Sequence, residues 1–266
     1  MGNKRQNLFI VLGAIFLTNA ILAELIGVKI FSLEQTLGLQ PANLDILGYT
    51  LDFNLTAGVM IWPVVFITTD IINEYFGKAG VRKISFIAVG CISYAFLMIW
   101  LVTKLSPAGF WLEVNNSDPD GNYFNVNYAF NKVFTQGLGI IIGSIIAFLI
   151  GQLLDVVVFQ RLRKITGEKM IWLRATGSTL ISQLIDSFVV LTIAFYILAP
   201  AENRWDFSQV ISVGSLNYIY KFIVAIALTP LIYLGHFLID RYLGKEEADR
   251  MKEEASQSGF VGKSIR

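Results

Sequence analysis

The sequence predicts an all-α integral membrane protein with six transmembrane helices and both termini in the cytoplasm. Three observations carry this. Of 266 residues, 55% are hydrophobic and 15% charged. An average soluble domain is about 25% charged, so this chain has too few ions to cover a surface that faces water. Apolar runs of about 20 residues, the length that crosses a bilayer, recur six times. They lie at about Leu8–Phe31, Ala57–Phe76, Ile84–Thr103, Val133–Phe159, Thr176–Leu198 and Val210–Ile239. Finally, 16 of the 21 Lys and Arg residues fall at the N-terminus, in alternate connections and in the C-terminal tail, the asymmetry that marks the cytoplasmic side. Membrane strands alternate apolar and polar residues, and Ile140-Ile141-Ile142 or Phe188-Val189-Val190-Leu191 do not. A single Cys rules out a disulfide framework or a Cys-rich metal site, and a net charge of +1 offers no basic footprint for nucleic acid.

The first run follows Lys4-Arg5, as a signal peptide would, but it is longer than a signal's apolar region and five more spans follow, so it reads as a retained helix. Lys78, Arg82 and Lys83 mark the connection after the second span. Arg161, Arg163, Lys164, Lys169 and Arg174 mark the one after the fourth. Segments 32–56 and 104–132 are polar, acidic loops on the opposite side, the latter rich in turn residues around Asn115-Asn116-Ser117-Asp118-Pro119-Asp120-Gly121. Residues 1–244 form one six-helix transport domain. Residues 245–266 form a charged cytoplasmic C-terminal tail, expected to be a frayed helix with a disordered end. Gly262-Lys263-Ser264 looks like the end of a phosphate loop but lacks the upstream glycine and strand.

Ionisable residues inside spans cost roughly 2.5–3.5 kcal/mol on insertion scales and need a reason. On the fifth helix Ser178, Ser182 and Asp186 repeat every four residues beside Thr179 and Gln183, making one polar stripe from Arg174 towards mid-membrane. Ser and Thr also serve helix packing, which accounts for Ser178 and Thr179 but not for Asp186 beside Gln183. The second helix carries Asp70, Asn73 and Glu74 on one face after Pro63; Glu74 is near enough to the inner surface to reach water. The fourth carries Gln152 and Asp155, with Arg161 close enough for a structural ion pair. The first contributes Glu24, well inside the apolar run. The sixth contributes Asn217 and Lys221 at i, i+4, and Lys221 requires a partner such as Asp186 or Glu24. Asp70, Asp155 and Asp240 are spaced by 85 residues each, which leaves an internal repeat open. His236 reads as a packing residue and the tryptophans as interfacial belts, while Tyr218 and Tyr220 could stack a planar ligand. No metalloprotease, serine-hydrolase or nucleotide-binding motif is present. Polar groups held between helices at mid-membrane are how transporters bind solutes.

Thr68-Thr69-Asp70-Ile71-Ile72-Asn73-Glu74-Tyr75-Phe76-Gly77, followed by Arg82, resembles the "tDvinEvyG…R" signature of the queuosine precursor transporter family, also called the vitamin-uptake-like family. Ser178-Thr179-Leu180-Ile181-Ser182-Gln183-Leu184-Ile185-Asp186-Ser187 looks like its second signature. Ala147-Phe148-Leu149-Ile150-Gly151-Gln152-Leu153-Leu154-Asp155 is similar to its fourth-helix motif, with Gly151 where Ser is common. The resemblance implies import of 7-cyano- and 7-aminomethyl-7-deazaguanine across the inner membrane, without a cofactor. It also implies a fold similar to the substrate-binding subunits of energy-coupling-factor transporters. A guanine-like edge presents two adjacent N–H donors that one carboxylate accepts side by side. Asp186 and Asp70 are therefore expected at the ligand, with Gln183, Asn73, Gln152 and Glu74 adding hydrogen bonds; Asp155, Ser182, Glu24, Lys221 and Asn217 complete the candidate set. The expected partners are the small-molecule ligand and the lipid bilayer, with no nucleic acid; self-association is left open. The alternative is a substrate-capture subunit that needs a separate ATPase module.

Overall fold

A computed structural model describes residues 2–135, 138–166, 170–199 and 201–258, with the backbone alone at 2, 138–141, 171, 174 and 258. Lys169, Lys263, Arg266 and the Gly262-Lys263-Ser264 stretch lie outside the described residues, as does the side chain of Arg174.

Helix α1 (Gly2–Ile26) opens the bundle. Its residues Leu8, Leu12, Phe16 and Ala20 are spaced by four and buried, one stripe packed on Val65, Ile72, Ile84, Ala88 and Ile92. All five belong to α3 (Trp62–Val102), which holds the expected second and third spans in one run of 41 residues. The run is interrupted at Gly77, with φ 65° and ψ −171°, a region open essentially to glycine alone. A Cβ at Gly80 would lie 3.3 Å from Ile72 Cγ2, whereas eight residues of straight helix rise about 12 Å. The chain therefore bends sharply at Gly77. Phe9 of α1 meets both sides of the bend, with its ring 5.0 Å from Phe76 and 5.9 Å from the Lys83 ammonium. The loop expected over 77–83 is thus a single-residue break. Lys78, Arg82 and Lys83 are good helix formers and point to the exposed side, so the second limb starts at once.

The acidic segment after α1 is more ordered than expected. Strand β1 (Ile30–Ser32) pairs antiparallel with β4 (Asn54–Thr56), and β2 (Leu44–Ile46) with β3 (Tyr49–Leu51). The short helix α2 (Leu33–Thr36) carries Glu34, whose buried carboxylate accepts the Phe53 N–H at 2.7 Å. A 3-10 turn (Ala57–Met60) leads into α3. At Gly58 a Cβ would sit 2.7 Å from the Ala23 carbonyl oxygen, so this turn lies directly on α1.

After α4 (Gly109–Val114) and α5 (Val126–Phe134), the fourth span is α6 (Leu138–Thr166); the expected start at Val133 belongs to α5. Helix α7 (Ile171–Leu191) passes into a π-helical stretch over Thr192–Ile197. Gly143 of α6 permits the close approach, because a Cβ there would lie 3.2 Å from the Val190 carbonyl oxygen. The expected sixth span is two helices, α8 (Phe207–Ala227) and α9 (Thr229–Leu243), separated at Leu228. Pro230 in the first turn of α9 fixes φ and has no N–H to give to the turn before it. Among the described residues, five helices are long and apolar enough to cross a membrane: in α1, α3, α6, α7 with its π extension, and α8.

The tail differs from the frayed helix expected. Helix α10 (Lys245–Ser258) buries Ala248, Met251 and Ala255 on one face in contact with α3. Arg5 of α1 clamps its polar side through ion pairs to Glu247 and, at 2.6 Å, Glu254. Alternation of small apolar and charged residues makes α10 amphipathic, and docking supplies the stability that propensity alone does not.

Candidate functional site

A cavity of about 220 Å³ lies between α1, both limbs of α3, α6, α7 and α8. Its polar lining comprises Glu24, Thr56, Ser144, Gln183, Asp186, Ser187, Asn217 and Lys221; its aromatic lining comprises Trp62, Phe66, Phe96, Phe134, Phe148 and Phe195. A concave, largely apolar chamber with a few convergent polar groups between helices is the usual form of a small-molecule site.

The polar groups divide into held and unheld. Asp186 is held, with Lys221 Nζ 2.5 Å from its Oδ2 across the α7–α8 contact. Of the two partners expected for Lys221, the structure forms the pair with Asp186. Glu24 accepts a hydrogen bond from the Ser144 hydroxyl, tying α1 to α6. By contrast Gln183 Nε2 and Ser187 Oγ are buried without a hydrogen-bond partner among the described residues. Burying a polar group without a partner costs about 1–3 kcal/mol, so these two donors are poised for an incoming acceptor.

A second cavity of about 60 Å³ adjoins the first between α3, α7, α8 and α9, and shares Trp62, Phe66, Gln183 and Lys221 with it. Asp70, Thr176, Thr179 and Tyr220 line it. Asp70 and Asp186 thus open onto different chambers. Tyr220 faces the smaller one, while Tyr218 packs against Phe222 at 6.3 Å.

The remaining candidates sit in the packed interior. Thr179 Oγ1 is 3.4 Å from Asp70 Oδ2 and 3.4 Å from Asp155 Oδ1. Asp155 makes no ion pair with Arg161, which is exposed. Gln152 Oε1 accepts from Thr69 at 3.1 Å, and Asn73 Oδ1 accepts from Gln160 at 2.8 Å. Ser182 donates to the Thr179 carbonyl at 3.0 Å, one turn back along its own helix. Glu74 is buried and not in water; its carboxylate lies 3.5 Å from Arg163, whose guanidinium also donates to the Glu74 carbonyl at 3.3 Å and the Lys252 carbonyl at 2.5 Å. That arginine joins α6, α3 and α10. His236 is buried, its Nδ1 3.1 Å from the Tyr75 hydroxyl, which donates to Asp240 at 2.6 Å. Asp240 therefore belongs to a tail-docking cluster with Lys252, 2.9 Å away, unlike Asp70 and Asp155 with which it is evenly spaced.

Sequence reasoning missed the aromatic wall. Trp62 was expected in an interfacial belt, yet its ring packs 5.9 Å from Phe66 and 5.6 Å from Phe148 inside the bundle. The spacing Trp62, Phe66, Asp70 held the signal, since residues four apart share a helix face.

A family model described as "Putative vitamin uptake transporter" matches residues 56–235, the stretch that supplies most of both chambers. The chain belongs to the vitamin uptake transporter family. The "Probable queuosine precursor transporter" of Bacillus subtilis (strain 168) is 29% identical over 201 residues, 74% of this chain and 80% of the relative. The protein of the same name from Haemophilus influenzae (strain ATCC 51907 / DSM 11121 / KW20 / Rd) is 30% identical over 191 residues, 70% of this chain and 71% of the relative. The "Queuosine precursor transporter" of Escherichia coli (strain K12) is 27% identical over 206 residues, 76% of this chain and 82% of the relative. No solved structure matches. Five apolar helices and membership of this family make the chain a multi-pass membrane protein with a transport role.

Proposed function

We propose that this chain imports queuosine precursors, 7-cyano- and 7-aminomethyl-7-deazaguanine, across the cytoplasmic membrane for salvage into tRNA, moving them without chemical change. The names of its relatives support the cargo class. The observation that carries the reading is the larger chamber, where a carboxylate, an amide with a spare donor and aromatic rings surround one space between helices.

The chemistry of a deazaguanine suits these groups. Its two adjacent N–H donors match a carboxylate edge, the strong charge-assisted arrangement, and Asp186 supplies it. Its carbonyl oxygen accepts from Gln183 Nε2. Trp62, Phe66 and Phe148 give the flat ring system apolar faces. Glu24, on the α1 side of the chamber, suits an aminomethyl ammonium. In this reading six crossings are made by α1, the two limbs of α3, α6, α7 and the α8–α9 pair, with both termini cytoplasmic by the basic-residue asymmetry. The fold is of the energy-coupling-factor substrate-subunit kind.

The test is salvage. A strain unable to make the precursors, expressing this chain as its sole importer, should regain queuosine in its tRNA when either base is supplied. Asp186→Asn, present at normal levels in the membrane, should not restore it. Full restoration by that variant would remove Asp186 from the ligand site.

A further inference from the structure

The interior carboxylates divide into those that face a cation and those that do not; Glu24, which does not, has the Ser144 hydroxyl. Asp186 has Lys221, Glu74 has Arg163 and Asp240 has Lys252, at 2.5, 3.5 and 2.9 Å. Asp70 and Asp155 are each at most 2% exposed, and neither makes an ion pair among the described residues. They meet instead at the Thr179 hydroxyl, whose Oγ1 is 3.4 Å from each, and Asp155 also faces the Ser178 and Ser182 hydroxyls. A hydroxyl has a single proton to donate, so Thr179 serves one of the two carboxylates at a time. Asp70 Oδ1 and Asp155 Oδ2 have no hydrogen-bond partner among the described residues. Two like charges so close and so dry cannot both persist.

We propose that Asp70 and Asp155 share one exchangeable proton, and that this proton is the coupling ion for transport, bound at a site separate from the substrate chamber. The inference rests on the transport reading above. Asp70 lines the smaller cavity, and so does Gln183, 3% exposed, whose Nε2 has no partner. A volume of about 60 Å³ exceeds the roughly 10–15 Å³ that one water centre needs, so the cavity has room for a water to give or take the carboxyl's proton. Gln183 and Lys221 line both cavities, placing the same two side chains against substrate and proton. The other titratable groups around the pair are accounted for. On α3 Glu74 is one turn along from Asp70 and ion-paired to Arg163 of α6. From α7 Asp186, and from α8 Lys221, are paired to each other; Tyr220 of α8 lines the cavity wall. His236 of α9 turns to Tyr75. When the outside is acidic, a proton leaves water and forms an O–H bond on one carboxyl. After reorientation that bond breaks and the proton passes to water inside, leaving both carboxylates charged, a state that lasts only until the next proton binds.

The purified full chain in liposomes tests this with two readouts. Infrared difference spectra across pH should show a protonated carboxylic acid band at neutral pH whose amplitude falls in Asp70→Asn/Asp155→Asn. Absence of the band in the wild type, or an unchanged amplitude in the double variant, overturns the proposal whatever transport does. Labelled 7-aminomethyl-7-deazaguanine should accumulate under an inward proton gradient and stop when a protonophore is added. Asp70→Asn should lose accumulation yet keep exchange of labelled for unlabelled base, which needs no net proton. Accumulation driven by sodium alone, or undiminished in Asp70→Asn, overturns the proposal. Loss of exchange in the wild type contradicts the transport reading instead and leaves the infrared result standing.

Discussion

Lys221 Nζ lies 2.5 Å from Asp186 Oδ2 on the wall of the larger cavity, so a cation and an anion there neutralise each other. Each side chain is about one-fifth exposed, so the pair is neither buried beyond hydration nor free in water. Removing one member strands the other. Lys221→Met should lower stability by about 2 kcal/mol, the low end for truncating a hydrogen-bonded charge pair. Asp186→Asn should do likewise. The double variant should cost less than the sum, because neither charge is then left alone. Thermal unfolding of the four proteins in detergent checks this; strict additivity would mean the two groups do not interact.

Gly77 divides α3 into two limbs with φ 65° and ψ −171°. Gly77→Ala forces a Cβ into a region that costs about 1–3 kcal/mol for other residues. The variant should melt lower by that margin, and the same change at Gly90, where a Cβ meets nothing within 4 Å, should not. Equal melting temperatures would place the break elsewhere.

Arg163 holds α6, α3 and α10 together through Glu74 and two carbonyl oxygens. Arg163→Ala should destabilise by about 3–5 kcal/mol, the range for stripping a buried charge of its partner. Arg163→Lys should not rescue it, since a single ammonium cannot copy the planar fork. Precursor affinity of the fraction that remains folded should be unchanged, because Arg163 lines neither cavity. A selective loss of affinity would move it into the ligand site.

The tail responds to acid. Hydrogen bonding from Arg5 holds the Glu247 and Glu254 carboxyls below their ordinary value of 4.5. A carboxyl lowered on docking contributes stability that is present in full above about pH 4.5 and lost as pH falls through the lowered value. Proteolysis of α10 should therefore accelerate below that pH, and less so in Arg5→Met, which lacks the linkage. A tail equally protected at all pH values would show that the clamp is not what docks it.

How much of this was legible in the sequence depended on range. Periodicity along one helix held its residues: the Ser178–Ser182–Asp186 face and the membership of Lys221 in a pair are both readable from spacing and from the cost of a lone charge. Contacts between helices were not. That Asp70 and Asp155 meet at Thr179 while Asp240 goes to Tyr75 depends on how α3, α6, α7 and α9 pack, and the equal spacing of the three aspartates suggested a likeness that packing does not honour. Trp62 looked interfacial because composition rules treat tryptophan by type; its neighbours Phe66 and Asp70 on the same face were the better guide. The α8–α9 break needed only Pro230, which a long apolar run concealed.

Carriage of a deazaguanine across the membrane through the larger chamber is open to direct test. Its most direct measurement is uptake of radiolabelled 7-aminomethyl-7-deazaguanine into sealed liposomes that contain this chain alone. Saturable uptake, lowered by Gln183→Ala and abolished by Asp186→Asn with both variants folded, is the predicted result. Uptake no faster than in empty liposomes, from protein that remains folded, would contradict it.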